Sequence, residues 1–294
     1  MKKSQVYLVA TGDRTEGAKR CLNYIGPLDY SGKTVYIKPN FNTADPTPGS
    51  THNDTLEQLL AALKAASPAS LTIGERSGPV DTAQVFAAKG IPQLCEKYGA
   101  SLINFDKLGD GDWVSLNRDG LHWPGGIKIP HLVAESDIAV ATCCLKTHGF
   151  GGVFSNALKL AVGLTPKDFG TLHNSPDIRK MIAEINLAYT PEFVLVDAVD
   201  VFTDGGPMQG VLKHGGAMYI GSDRVALDAV GLAILKSLGS NNAIMDTPIF
   251  RQEQIVRAVE LGLGAAGPDE IEIVTGDEES AAYAERITEI LSQG

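Results

Sequence analysis

Asp137-Ile-Ala-Val-Ala-Thr-Cys-Cys-Leu-Lys-Thr-His-Gly-Phe-Gly-Gly-Val-Phe-Ser-Asn-Ala-Leu-Lys159 is the stretch whose reading decides the fold. Ile138 to Leu145 reads as a buried strand, Gly149-Phe-Gly-Gly152 as a glycine-rich loop, and Phe154 to Val162 as an almost wholly apolar helix. A strand, a loop and a helix in that order form the building unit of a parallel sheet. The same stretch sets Lys146, His148 and Lys159 where a hydrophobic core should continue. Ionic groups are costly to bury, so their presence points to use.

The pattern repeats along the chain. Strand-like runs occur at Gln5 to Ala10, Thr34 to Ile37, Ser70 to Ile73, Ser101 to Phe105, Phe193 to Val196, Ala217 to Ile220 and Ile271 to Val274. Helical patterns fall at Asp54 to Ala66, Thr82 to Tyr98, Asp177 to Ala188, Arg224 to Leu238, Pro248 to Leu261 and Glu278 to Leu291. The alternation predicts an α/β fold with a mainly parallel, Rossmann-like sheet flanked by helices. Asp112 to Pro130 breaks the rhythm, alternating polar and apolar residues around Asp119-Gly120, and predicts a β-hairpin insertion on the sheet edge. Residues 1–294 are expected to form one α/β domain; if there are two closely joined lobes, the seam falls near Pro130.

Composition narrows the function. With 44% hydrophobic and 20% charged residues in 294, the chain can bury a large core. A net charge of −10 and the lack of basic clusters argue against nucleic acid, so any cationic site must be local and pocketed. Met1 to Gln5 leads into a strand-like run without a signal peptide's apolar core, and no apolar stretch approaches membrane-span length; the expectation is a cytoplasmic protein with no membrane partner. Cys21, Cys95, Cys143 and Cys144 lack Cys-x-x-Cys spacing, so reduced, buried thiols are expected, with no disulfide framework and no iron-sulfur cluster.

In open parallel sheets the ligand crevice lies beyond the carboxyl ends of the strands. Those ends are polar here: Lys38, Pro39 and Asn40 after the second strand, Glu75 and Arg76 after the third, Lys146 and His148, and Asp197. A shared crevice would gather two lysines, a histidine and two carboxylates. Lys146 and His148, two apart, point to one side of an extended chain and suit paired electrophile and acid-base roles, with Lys38 a third catalytic candidate. Lys146 at the surface, with His148 in a loop hydrogen bond, is the structural alternative. Asn40, Glu75, Asn156 and Lys159 are candidate substrate-binding residues. Gly151 and Gly152 join them because amides leading into a helix can cradle an anion; the same glycines could form a simple tight turn, or a nucleotide site, though they match neither phosphate-loop nor dinucleotide motifs.

Asn156, Lys159 and Gly163 share one helical stripe. Asp228, the only acid in the apolar run Val225 to Leu235, is expected as a support that could partner Lys159 or Lys38, and Asp223 as an N-cap. A divalent metal could be held by His148, His173, Asp197 and Asp204, although no ligand spacing supports one. Asp204-Gly-Gly-Pro-Met208 could close over a ligand, and Thr43 to His52 is a candidate lid. His122, His131 and His214 read as structural or solvated.

Ile37-Lys-Pro-Asn40, Leu145-Lys-Thr-His148, Ser155-Asn-Ala-Leu-Lys159, the His173 segment, Val196-Asp197, Gly205-Gly-Pro207 and Gly221-Ser-Asp-Arg-Val-Ala-Leu-Asp228, in this order, resemble the domain of unknown function family numbered 362. The resemblance implies little about activity. Many relatives add a ferredoxin-like segment with cysteine clusters and are labelled iron-sulfur proteins; this chain has no such cysteines, so that label does not carry over. Together the residues predict an enzyme acting on a small anionic metabolite, with self-association into a homo-oligomer left open. The alternative is a non-catalytic metabolite-binding or redox-partner protein.

Overall fold

The computed structural model describes residues 3–293. The strands are β1 Ser4–Ala10, β2 Thr34–Lys38, β3 Ser70–Glu75, β4 Ala100–Asn104, β5 Trp113–Leu116, β6 Ile127–Pro130, β7 Ile138–His148, β8 Val153–Ser155, β9 Val194–Gly205, β10 Gly210–Gly221 and β11 Ile271–Val274. The helices are α1 Arg14–Ile25, α2 Asn53–Ala65, α3 Thr82–Ala88, α4 Ile91–Tyr98, α5 His131–Glu135, α6 Ala157–Leu160, α7 Phe169–His173, α8 Ile178–Ile185, α9 Arg224–Ser237, α10 Asn242–Met245, α11 Glu253–Glu260 and α12 Glu278–Ser292.

The main sheet runs β11-β1-β10-β9-β7-β2-β3-β4, with β8 added against β7. Strands β4, β3, β2, β7 and β9 are mutually parallel, and β10 alone reverses the path, pairing antiparallel with both β9 and β1. The mainly parallel α/β fold is therefore as the alternation predicts. Strand side chains alternate between two cores. Leu195 and Val199 of β9 join Val35 and Ile37 of β2 against α1 and α2, while Val194, Val196 and Ala198 face the core of α6, α8, α9 and α11.

Three local readings are corrected, and one element is added. Helix α1 lies in a segment to which no element was assigned, although Ala18, Cys21, Leu22 and Ile25 carry helical spacing and Asp13 caps it by accepting from the Thr15 and Glu16 amides. The predicted helix Thr82 to Tyr98 divides into α3 and α4 at Gly90, whose φ of +65° is left-handed. The hairpin forms, but as a separate two-stranded sheet of β5 and β6 joined by a long connection, not a two-residue Asp-Gly turn. It packs through Ile127 and Ile129 into the α6 and α9 core instead of extending the sheet edge. The predicted helix Phe154 to Val162 becomes β8, the short α6 and a 3-10 turn, because Asn156 is extended (φ −157°) and commits its side chain to tertiary contacts.

Those contacts fix α9 on the sheet. Asn156 Nδ2 donates to Tyr219 Oη (2.8 Å) and to the Leu227 carbonyl (2.9 Å), and every residue of α9 from Arg224 to Leu235 is buried. Gly231 makes the close approach: a Cβ there would lie 2.7 Å from Tyr219 Oη and collide with Asn156 Nδ2. Gly231→Ala should therefore cost about 1–3 kcal/mol of overpacking, read from urea unfolding midpoints. A variant of unchanged stability would show that α9 shifts freely.

Candidate functional site

A cavity of about 70 Å³ lies beyond the carboxyl ends of β2, β3 and β7, lined by Lys38, Asn40, Asn42, Glu75, Arg76, Lys146, His148, Ser155, Asn156, Lys159 and Gly163. It shares Arg76, His148 and Lys159 with a vestibule of about 250 Å³ rimmed by Phe150, His173 and Met208. The two halves of the chain therefore meet as strand-end logic predicts. Arg76 and Asn42 complete the walls; Arg76 was legible only as the neighbour of Glu75, and Asn42 had no signal beyond following the second strand.

Two of the buried cations are compensated. Lys38 Nζ donates to Glu75 Oε2 (2.6 Å) and to the Pro39 carbonyl (2.7 Å). Glu75 also accepts from the backbone amides of Phe41 and Arg76. Burial pushes the Lys38 ammonium down and the Glu75 carboxyl up in pKa, and their mutual attraction opposes both shifts. Among the described residues Lys146 Nζ has no carboxylate partner; it donates to Asn40 Oδ1 (2.7 Å) and to the carbonyls of Pro48 (2.7 Å) and Gly49 (2.9 Å). Two of these three hydrogen bonds tie the Thr43 to His52 loop to the end of β7, and burial lowers the Lys146 pKa. The segment is thus tied down: Thr51 Oγ1 accepts from the Asn40 amide, and His52 caps α2 by accepting from the Asp54 amide.

Lys159 and His148 differ. Among the described residues Lys159 makes no hydrogen bond or ion pair, and burial followed by the Lys146 and Arg76 charges pushes its pKa down to about 7. His148 is 7% exposed and its Nδ1 has no hydrogen-bond partner among the described residues. Burial, then Lys159, Lys146 and His173, hold the imidazole well below its usual pKa, so it is neutral. A Cβ on Gly152 would lie 2.6 Å from Lys159 Cε and 3.1 Å from His148 Nδ1, so this glycine is what lets the two groups flank one space.

Several predicted roles are corrected. Asp197 does not enter the cavity: strand alternation turns it, with Leu195 and Val199, toward α1, where it accepts from Arg14 Nε (2.8 Å) and Thr55 Oγ1 (3.3 Å). The cavity therefore holds one carboxylate, not two. Asp204 is exposed and accepts from the Gly205 amide, and His173 stands at the vestibule rim. Among the described residues no three His, Cys, Asp or Glu side chains form a metal-holding group, so the candidate set His148, His173, Asp197 and Asp204 is not assembled. Gly151 and Gly152 are no helix-opening cradle: they turn β7 into β8, and the Gly149 amide is already bound to the Gly206 carbonyl. Asp228 partners neither Lys159 nor Lys38; it accepts from the Leu158 amide (3.3 Å) and Gln254 Nε2 (3.0 Å). Asp223 caps α9 as expected, accepting from the amides of Val225 and Ala226. Asn156 lines the cavity, but its amide is spent on the core contacts above. All four cysteines are buried free thiols, and burial raises Cys144 to about 12.

The family model described as domain of unknown function (DUF362) matches residues 35–233. The chain belongs to this family. The matched span contains every wall of the cavity, from Lys38 to Pro207. No curated protein matches the sequence. Among solved structures, the chain is similar to the lactate racemase apoprotein from Thermoanaerobacterium thermosaccharolyticum, with 16% identity and a TM-score of 0.46 over 98% of this chain and 86% of that one. It is also similar to a Thermotoga maritima protein at 14% identity and a TM-score of 0.47, covering 76% of this chain and 56% of that one. This chain thus spans little more than half the length of the second.

Burial raises Asp228 from the usual carboxyl range to about 7. The folded state therefore binds a proton that the unfolded state has released between about pH 4 and 7, and stability from this group falls as pH rises through that window. Asp228→Asn removes the effect, so its stability relative to the parent should improve by roughly 1–4 kcal/mol between pH 4 and 8 in urea unfolding. A difference that does not change with pH would show that the carboxyl is not held protonated.

Proposed function

We propose that this protein is a cytoplasmic enzyme that binds and transforms a small anionic metabolite in the strand-end cavity. The observation that carries the reading is the charge of the walls: Lys38, Arg76, Lys146 and Lys159 stand against one carboxylate, Glu75, in a protein whose net charge is −10. Glu75 is spent on Lys38, which leaves the Lys146 ammonium bound only to neutral oxygens. An anion supplies the missing charge. No helix among the described residues is long and apolar enough to cross a membrane.

The unpaired Lys159 amine and the neutral His148 imidazole favour catalysis over simple binding. A binding protein would gain from a permanently charged, hydrogen-bonded lysine at this position; a group poised near neutrality suits proton transfer. His148, with an open ring nitrogen, is the acid-base group, and Lys38 and Glu75 hold the walls.

Malonate tests this by calorimetry, with its affinity expressed for the dianion at each pH. One malonate should bind per chain, roughly 3- to 10-fold tighter at pH 6, where Lys159 is protonated, than at pH 8. Lys159→Met should remove that pH dependence with the fold intact by circular dichroism. No binding of malonate, or of acetate as a smaller probe, at either pH would overturn the anion reading.

A further inference from the structure

We propose that Lys159 is an imine-forming lysine, and that the anionic metabolite is a carbonyl compound of the 2-oxo carboxylate class. The inference rests on the anion-binding reading above and gives the substrate its reactive group. Within the cavity the cationic work is already assigned: Lys38 is paired with Glu75, and Lys146 holds the Pro48 and Gly49 carbonyls. Lys159 has no acceptor at all among the described residues, so its nitrogen lone pair is not tied to any structural contact. An amine is a nucleophile only when unprotonated, and desolvation beside other cations is what produces that state. Burial together with Lys146 and Arg76 provides it, holding the amine near pH 7. The orphaned Nδ1 of neutral His148 lies across Gly152 from Lys159 Cε, where a proton carrier is needed. The chamber of about 70 Å³ admits only a ligand of few heavy atoms at the amine, with longer substituents reaching the vestibule.

The chemistry balances without another reactant. The Lys159 Nζ lone pair forms a bond to the carbonyl carbon, and the C=O π pair moves to oxygen. His148 takes a proton from the nitrogen and returns it to that oxygen, giving a neutral carbinolamine. The nitrogen lone pair then expels the hydroxyl, which leaves as water with one further proton taken up from solvent through His148. The product is a protonated imine. Its positive charge lies beside the substrate's own carboxylate, which Lys146 and Arg76 attract.

Pyruvate with sodium cyanoborohydride, applied to the full chain, tests the step by intact mass and peptide mapping; propionate, which lacks the carbonyl, is the binding control by calorimetry. The expected result is one reduced pyruvate adduct per chain, on Lys159, captured faster as pH rises through about 7. Lys159→Arg should lose the adduct yet still bind propionate, and His148→Asn should slow capture at saturating pyruvate. Propionate binding without a Lys159 adduct, or adducts scattered over surface lysines, would overturn the imine proposal and leave the anion pocket standing. Failure to bind propionate or pyruvate at all would overturn both.

Discussion

The Lys38–Glu75 ion pair, at 2.6 Å and almost wholly buried, is the contact on which the site depends. It joins the carboxyl ends of two neighbouring parallel strands at the point where each must turn away from the sheet. Glu75 satisfies its remaining valences with the amides of Phe41 and Arg76, so one carboxylate organises both loops. Gly163 closes over the pair so tightly that a Cβ would lie 2.7 Å from Lys38 Nζ. Loss of either partner would leave an uncompensated buried charge, which typically costs about 3–5 kcal/mol. The rigidity of the cavity floor follows from that penalty.

The other buried charges divide by what answers them. Asp197 and Arg14 fasten α1 to β9 on one face of the sheet, and Glu184 binds Arg257 and His122 on the other, fixing the connection between β5 and β6. Lys146 is answered by neutral oxygens, two of them in the Thr43 to His52 loop, which it thereby ties to the end of β7. Lys159 is answered by no hydrogen bond or ion pair among the described residues. A folded protein tolerates a desolvated lysine by letting it lose its proton, and the same response prepares the amine for chemistry.

Much of this architecture was legible in the residues. Apolar runs of strand length alternating with helical periodicity give a parallel sheet, because only helices on both faces can cover strands buried on both sides. Polar residues at strand ends then locate the crevice, and Lys38, Glu75, Lys146, His148, Asn156, Lys159 and Gly163 do line one cavity. The stripe spacing of Asn156, Lys159 and Gly163 survived even though the helix there is only four residues long. The weaker readings were those that needed knowledge of partners: Asp197 looked like a site acid, and Gly149 to Gly152 like a helix-opening cradle.

The sequence by itself determined which groups sit at strand ends and hence where the crevice lies, since hydrophobic periodicity fixes element order and strand direction fixes the open edge. It could not determine which charges remain unspent. Pairing is set by contacts between residues far apart in the chain: Arg14 meets Asp197, Gln254 meets Asp228, and Pro48 and Gly49 meet Lys146. The tertiary structure alone decided that Asp197 faces α1, that Asp228 leaves Lys159 unpartnered, and that Lys159 and His148 share one space. Electrostatic state depends on distance and burial in three dimensions, which no one-dimensional spacing encodes.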